Sequence, residues 1–415
     1  MTPAPPNRPI LSRLFSPGDL FATRDIGLLF YGQLISQIGD SMFHIGMMWL
    51  VLKTTGSSEW MGLVGMAGYI PVLFFGLIGG TLADLFDRRR LMLLSDLIRA
   101  AIVTFLVLQI HAGPVGKTTL LVVPFLLATF GTIFNPSRDA MIPELVGHGS
   151  LIRTNSVIQV SAFAAILIGP AIGAGIIASL GLVHVFSVDV FTFLLSALAI
   201  RSIRPSTPEP PRATRHSLKG HLREVFSHLN RDRRLTWTLS LTAIQNFFIM
   251  GPAMVGTPLF VHEVLKQDAA SYAAVESCLG LGMVIGCLLI PKFTRRWNLG
   301  RILIVGMIFD GLTHALLPAC TRLPEVMIVM AIHALAIPMI VVCRTSLVQQ
   351  WSEGPIRGRI FSLVNISVVG MTALSSGVVG WLAARIPVPT IFLLFGIGAA
   401  LCGVIGWVYR PLREA

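Results

Sequence analysis

Apolar runs bounded by charge, glycine or proline divide the chain into twelve stretches. They are roughly 26–52, 59–83, 91–112, 118–141, 154–179, 181–200, 235–261, 271–291, 300–320, 325–348, 358–384 and 388–409. A helix needs about 20 apolar residues to cross a bilayer, and the runs reach that length. The pattern predicts an all-α membrane protein of twelve transmembrane helices. The longest polar stretch, 201–234, opens with RSIRPSTPEPPRATRH and continues into a basic piece ending at RDRR. It splits the helices six and six, so the expected organisation is a six-helix bundle over 1–200, a basic linker over 201–234 and a second six-helix bundle over 235–415.

Composition agrees. Of 415 residues, 54% are apolar and 13% charged, against about 25% charged in soluble proteins. An ordinary soluble enzyme and a disordered chain are both excluded. Twelve spans use about 240 positions, which leaves little room for a separate soluble domain. The net charge of +12 would suit nucleic acid if it formed a patch, but the basic residues flank apolar runs and read as topology signals. With both termini inside, only Lys53, Lys117, Lys266, Arg322 and Arg385 of the 32 Lys and Arg fall outside. Both termini and the linker are therefore expected in the cytoplasm. The linker has few aromatics and is expected to lie on the membrane without binding nucleic acid. Cys278, Cys287, Cys320, Cys343 and Cys402 lie in apolar runs without metal-ligand spacing, and read as small core residues. The start, MTPAPPNRPI, lacks an apolar signal region, so the first span is expected to act as its own insertion signal.

The halves match at an offset of 206 residues. Ile38 falls on Ile244, Asp40 on Asn246, Gly80 on Gly286, Leu82 on Leu288, Arg89 on Arg295, Arg90 on Arg296, Arg138 on Arg344 and Arg153 on Arg359. Two parallel six-span repeats suit a transporter that rocks one half against the other around a midplane site, although channels and membrane enzymes also repeat. The sequence contains no G-x-x-x-x-G-K-[ST], HExxH, CxxC or G-x-S-x-G. It therefore offers no support for direct ATP use, a metal site or membrane-embedded catalysis.

The first span carries Gln33, Gln37, Asp40 and His44 at spacings of four, three and four, which places them on one helical face. The seventh span carries Thr238, Thr242 and Gln245, with Asn246 beside them. Such stripes are costly against lipid and are expected to face the bundle interior or a watery cavity. Asp40 lies about 21 Å into its span, with His44 as its nearest partner in sequence. Two readings stand: Asp40 exchanges protons during transport, or it is a fixed acid bonded to a neighbouring helix. Asp189 and Asp310 are also near midspan and are further proton-coupling candidates. Asp96 and Arg99 are expected to pair at i, i+3 and snorkel towards the cytoplasmic edge. His314 and His333 read as isolated core residues.

Between spans two and three the sequence is Gly80-Thr-Leu-Ala-Asp84-Leu-Phe-Asp87-Arg88-Arg89-Arg90. A glycine there allows close helix approach, and the acid and cations can bond helix ends and lipid headgroups. Span five contains Gly169-Pro-Ala-Ile-Gly173-Ala-Gly175, in which proline removes a backbone bond and the glycines flatten one face.

With these motifs the chain resembles the major facilitator superfamily, whose signature in the first of these loops is G-x-L-a-D-r-x-G-r-r/k. Leu85 and Asp87 stand where arginine and glycine are commoner. Ser36-Gln-Ile-Gly-Asp40, Phe134-Asn-Pro-Ser-Arg138 and Arg357-Gly-Arg359 resemble the drug and siderophore exporters of that superfamily.

The resemblance implies that spans one, four, seven and ten surround a cavity lined by Gln33, Gln37, Thr242, Gln245 and Asn246. It places spans six and nine, with Asp189 and Asp310, at the periphery, where a structural hydrogen bond is expected. It implies an inner gate of Gly80, Asp84, Arg88, Arg89, Arg138 and Asp139, with Arg138 against Asp84, Asp139 or a lipid headgroup. Gly169, Pro170 and Gly173 resemble the packing motif of antiporters. The expected function is export of a small amphiphilic molecule in exchange for protons, by a monomer without cofactors in a bacterial inner membrane. An importer or lipid flippase on the same fold is the alternative; a sensor or scaffold would be expected to carry a sizeable soluble domain.

Overall fold

The computed structural model describes residues 24–146, 151–204, 227–352 and 354–415. The side chains of Asp84, Arg357 and Arg359, and residues 205–226 of the linker, lie outside the described residues.

Twelve helical segments follow the twelve apolar runs. The first six are α1 (Arg24–Thr55), α2 (Ser58–Ala67 and Ile70–Leu85), α3 (Arg88–Ala112), α4 (Lys117–Val146), α5 (Leu151–Leu180) and α6 (Val183–Arg201). The second six begin with α7 (Arg233–Gly251), which continues through Pro252–Gly256 and Thr257–Leu259 to Phe260–Val264. They go on with α8 (Ala269–Phe293), α9 (Leu299–Leu316), α10 (Leu323–Ala334 and Ala336–Trp351), α11 (Gly354–Ala383) and α12 (Val388–Val408). Among the described residues ten helices are long and apolar enough to cross a membrane. The first span falls short because Gln33, Gln37, Asp40 and His44 interrupt its apolar run.

Prolines account for the irregularities that the apolar runs do not show. Pro338 cannot donate to the carbonyl four residues back, and α10 breaks between Ala334 and Ala336. In α7, where Pro252 and Pro258 occur, the chain widens into π-type turns over Pro252–Gly256 and Phe260–Val264. α5 remains helical through Pro170.

Caps fix several helix starts. Asp87 accepts the backbone N–H of Arg90 at 2.7 Å, and Asp268 accepts that of Ser271 at 2.9 Å. The Ser271 bond holds the Asp268 carboxyl below the usual carboxylate range. Asp268→Ala is expected to cost about 1 kcal/mol at neutral pH. Because the folded value is depressed, this contribution is present above the unfolded value and is lost as pH falls through the folded one. The gap between the melting midpoints of wild type and variant should therefore narrow on acidification.

Glycines set the helix contacts. Gly32, Gly39 and Gly46 recur every seven residues on α1 and meet α6: a Cβ at Gly32 would lie 3.2 Å from Ala199 Cβ, and one at Gly46 2.7 Å from Val185 Cγ2. Between the halves, a Cβ at Gly62 would lie 2.8 Å from the Ser376 carbonyl and 2.9 Å from Gly380 Cα, so the α2 and α11 backbones touch. Gly280 of α8 does the same on α5, where its Cβ would lie 2.7 Å from the Ile166 carbonyl. Pro170 cannot donate to that carbonyl.

The buried apolar residues show where the molecule is closed. At the end holding the C-terminal third of α1, one continuous cluster joins both halves, including Met47, Trp49, Met61, Leu259, Phe260, Tyr272 and Val379. Trp49 stacks on Tyr272 with centroids 6.3 Å apart and meets His262 edge-on at 5.6 Å. At the other end the buried apolar side chains form separate clusters. One contains Leu29, Met92, Met141 and Ile200, and another Leu241, Ile304, Leu347 and Cys402. The halves are fused at one end and separately packed at the other.

Candidate functional site

Between the halves lies a cavity of about 560 Å³. Its apolar wall includes Phe43, Met47, Met48, Leu73 and Leu127, and its polar groups are Asp40, His44, Tyr69, Arg99, Thr132, Asn135, Ser362 and Asn365. Such a pocket, mostly apolar with a few convergent polar groups, is typical of a small-molecule site.

Asp40 is the centre of its chemistry. Its Oδ1 accepts from Arg99 Nη2 at 2.7 Å, and the carboxylate side chain is 44% exposed to the cavity against 11% for the guanidinium. Arg99 Nη1 also stands 3.6 Å from the fully buried Asp96. The guanidinium lies 4.2 Å from the Phe193 ring centroid, a stacked position that adds attraction in a desolvated setting. Asp189 enters from α6. It accepts from Thr192 Oγ1 at 3.2 Å and abuts Gly39, the residue before Asp40. Three carboxylates from three helices thus gather around one cation, and Gly39 lets α6 approach closely enough to bring the third.

This corrects several expectations. Arg99 turns inward to Asp40 and does not snorkel. His44 lines the cavity, but Arg99, not His44, is the partner of Asp40, and His44 Nε2 has no hydrogen-bond partner among the described residues. Asp189 is brought beside Asp40.

The five residues expected on the wall do not line this cavity; four engage neighbouring helices and Thr242 bonds within its own. Gln33 accepts from Arg138 Nη1 at 3.0 Å, and Gln37 accepts from Ser161 Oγ at 3.4 Å. Thr242 bonds the Thr238 carbonyl at 2.8 Å within α7, and Gln245 donates to Asp310 at 2.7 Å. Asn246 donates to Val368 O and Thr372 Oγ1 of α11 at 3.0 and 2.9 Å. A helix exposes one narrow line to a cavity, so a four-residue polar face can be divided among three neighbours.

Asp310 forms a separate buried knot away from the cavity. His333 Nδ1 lies 3.4 Å from its Oδ1, and the His314 ring centroid is 4.9 Å from that of His333. These histidines are adjacent, not isolated as the sequence suggested.

At the open end the expected gate residues bind within the first half. Arg88 donates to the Ala140 and Ala83 carbonyls at 3.0 and 3.3 Å. Arg89 donates to the carbonyls of Ile200, at 3.1 Å, and of Arg201. Ala83, Ile200 and Arg201 lie in the last turns of α2 and α6, where carbonyls are unpaired and the helix dipole favours positive charge. Arg138 pairs with Asp139 at 2.8 Å. Gly79, not Gly80, makes the close approach: it abuts the Thr132 carbonyl of α4, while a Cβ at Gly80 would have no neighbour within 4 Å. In the span-five motif, a Cβ at Gly169 would lie 2.7 Å from Ser41 Cβ and one at Gly173 3.4 Å from Met42 Cγ. Pro170 is buried between these two glycines. The glycine face therefore packs on α1 around Asp40, inside one half.

Twelve helices in two halves around a cavity closed at one end make a transporter architecture. A crystal structure of a variant of the nucleoside transporter NupG aligns with a TM-score of 0.78, covering 92% of this chain and 99% of that one. At 12% identity, the likeness shows a shared fold. The multidrug efflux pump Tap of Mycolicibacterium fortuitum is 25% identical over 409 residues, 93% of this chain and 96% of the relative. Macrolide efflux protein A of Streptococcus pyogenes is 24% identical over 390 residues, covering 92% and 95%.

Residues 19–414 match the family of transmembrane secretion effectors, and the chain belongs to that family of major facilitator transporters. It is an integral membrane protein.

Proposed function

We propose that this protein exports an amphiphilic small molecule, of the drug class, in exchange for protons by alternating access. Its setting is a bacterial inner membrane with both termini and the 201–234 linker in the cytoplasm, and the working unit is a monomer of two six-helix domains. The observation that carries the reading is the Asp40–Arg99 pair on the wall of a mostly apolar cavity. The efflux relatives and the clustering of Lys and Arg at one set of loops support it. On this orientation the fused end faces outside, and the structure is the inward-open state.

The geometry suggests the coupling step. When Asp40 takes a proton, its bond to Arg99 weakens and the guanidinium keeps Asp96 as counter-ion. Releasing the proton restores the Asp40–Arg99 pair. A cationic or hydrogen-bonding substrate group would compete for the ionised carboxylate, so proton and substrate would exclude one another at one side chain. Asp189, in contact with Gly39, is placed to sense the change, whereas Asp310, held by Gln245 and His333 away from the cavity, acts as a structural acid.

The test uses purified protein in vesicles with a fluorescent amphiphilic dye such as ethidium and an imposed proton gradient. Wild type is expected to move dye against the flow of protons. Asp40→Asn is expected to reduce movement to the rate without a gradient while keeping its melting midpoint near that of wild type. Undiminished gradient-dependent transport in the variant would remove Asp40 from the coupling step. Dye movement in the same direction as protons would assign an importer.

A further inference from the structure

The lipid-facing side of the α2–α11 crossing carries a second feature. Because Gly62 and Gly380 bring the two backbones into contact, the larger side chains on their outer faces stand apart as walls. Leu63, Met66, Leu374, Val378 and Trp381 enclose a cleft of about 580 Å³ over Gly377. Leu63, Leu374 and Trp381 are exposed, as residues that meet acyl chains should be. From Glu59 to Met66 the cleft runs about 10 Å along the helix, enough for part of one acyl chain.

At its outer end the cleft meets a charge pair that joins the halves. Arg385 Nη1 donates to Glu59 Oε1 at 3.0 Å and to the Trp381 carbonyl at 2.7 Å. The guanidinium lies 4.2 Å from the Trp381 ring centroid. Both charged side chains are about half exposed, at 47% and 48%. In the pair one Glu59 oxygen meets one Arg385 nitrogen, and the half-exposed side chains leave both charges accessible from outside. Lys117 over Trp60, 5.2 Å from its ring centroid, marks the same level, and tryptophan and basic side chains are typical of the membrane–water boundary.

We propose that this cleft binds one phospholipid with a primary-ammonium zwitterionic headgroup. Arg385 takes the phosphate, Glu59 accepts N–H bonds from the ammonium, and one acyl chain lies along Leu63, Met66, Leu374 and Val378. Charge complementarity selects this class. A purely anionic headgroup brings negative charge against Glu59, and a choline headgroup has no N–H to donate. Because the lipid touches α2 of one half and α11 of the other, it favours the state in which that seam is shut. It shifts the conformational balance by its differential affinity for that state.

The experiment uses native mass spectrometry of the full-length protein after delipidation and supplementation with phosphatidylethanolamine, phosphatidylcholine or phosphatidylglycerol. Melting curves are taken in parallel. Wild type should retain one phosphatidylethanolamine in preference to the other two and melt higher with it. The double variant Glu59→Gln, Arg385→Gln removes both charge-assisted contacts and should hold it about a hundredfold more weakly, about tenfold for each. Leu374→Trp fills the cleft without altering the charges and should lose the lipid as well, which separates occupancy from any damage to the ion pair. Equal retention of the three lipids by wild type would overturn the proposal. So would undiminished phosphatidylethanolamine retention in both variants.

Discussion

Arg99→Gln is expected to be the most damaging single substitution in the charge cluster, for stability as well as transport. It leaves Asp40, Asp96 and Asp189 close together, with Asp96 and Asp189 fully buried and the shared cation gone. Removing one partner of a buried pair costs about 3–5 kcal/mol, because the remaining charge is left uncompensated. The lost contact with the Phe193 ring removes about 0.5–2 kcal/mol more. Asp40→Asn should be milder, since Asp96 remains beside the guanidinium. Arg99→Lys keeps the charge but loses the planar fork that stacks on Phe193 while reaching Asp40, and should fall between the two. Unfolding midpoints of the purified variants, measured with dye transport in the same vesicles, check the order. An Arg99→Gln protein as stable as Asp40→Asn would mean that the cluster is not held by its cation.

Gly39→Leu is the second large effect. A Cβ at Gly39 would collide with Thr192 Oγ1 and Asp189 Oδ1 and sit 3.0 Å from Thr192 Cβ. These atoms belong to the bond that orients Asp189, so the new side chain must separate α1 from α6 or displace the carboxylate. Overfilling a tight interior costs about 1–3 kcal/mol, and the broken Asp189 contact adds to it. Gly39→Ala should show a smaller loss in the same direction. Gly175→Ala is the control, because a Cβ there would have no neighbour within 4 Å. Yield of folded protein and melting midpoint provide the readout. If Gly39→Ala and Gly175→Ala melt alike, the α1–α6 contact is looser than described.

The architecture was legible because apolar runs of membrane length are a strong signal. Even the breaks in α7 and α10 follow from proline positions written in the chain. The cavity was legible only in part. An acid deep in a membrane span on a polar face identifies Asp40, but its partner Arg99 is 59 positions away on α3, and no local spacing links them. The heptad of Gly32, Gly39 and Gly46 was visible and could have indicated that α6, and with it Asp189, lies against the Asp40 face. The seventh-span stripe misled for a simpler reason. Thr242 and Gln245 meet partners inside their own half, and a polar residue satisfied by a neighbouring helix looks the same in sequence as one facing water. Asn365 and Ser362, lone polar residues in an apolar run, gave too little pattern to be singled out, yet they form the second half's polar contribution to the cavity wall, beside Ile366 and Val369.

The aromatic plug of Trp49 and Tyr272 has a consequence for the alternating-access cycle proposed above. In that cycle, opening the opposite way takes both rings out of a dry interior, and each carries about 150–250 Å² of surface. At about 25 cal/mol per Å², wetting the two is an upper-limit penalty near 10 kcal/mol. Thermal motion alone would rarely supply that much. The far mouth must therefore bury comparable apolar area as it shuts, so the two ends behave like the pans of a balance. The ligand need only tip a nearly level beam.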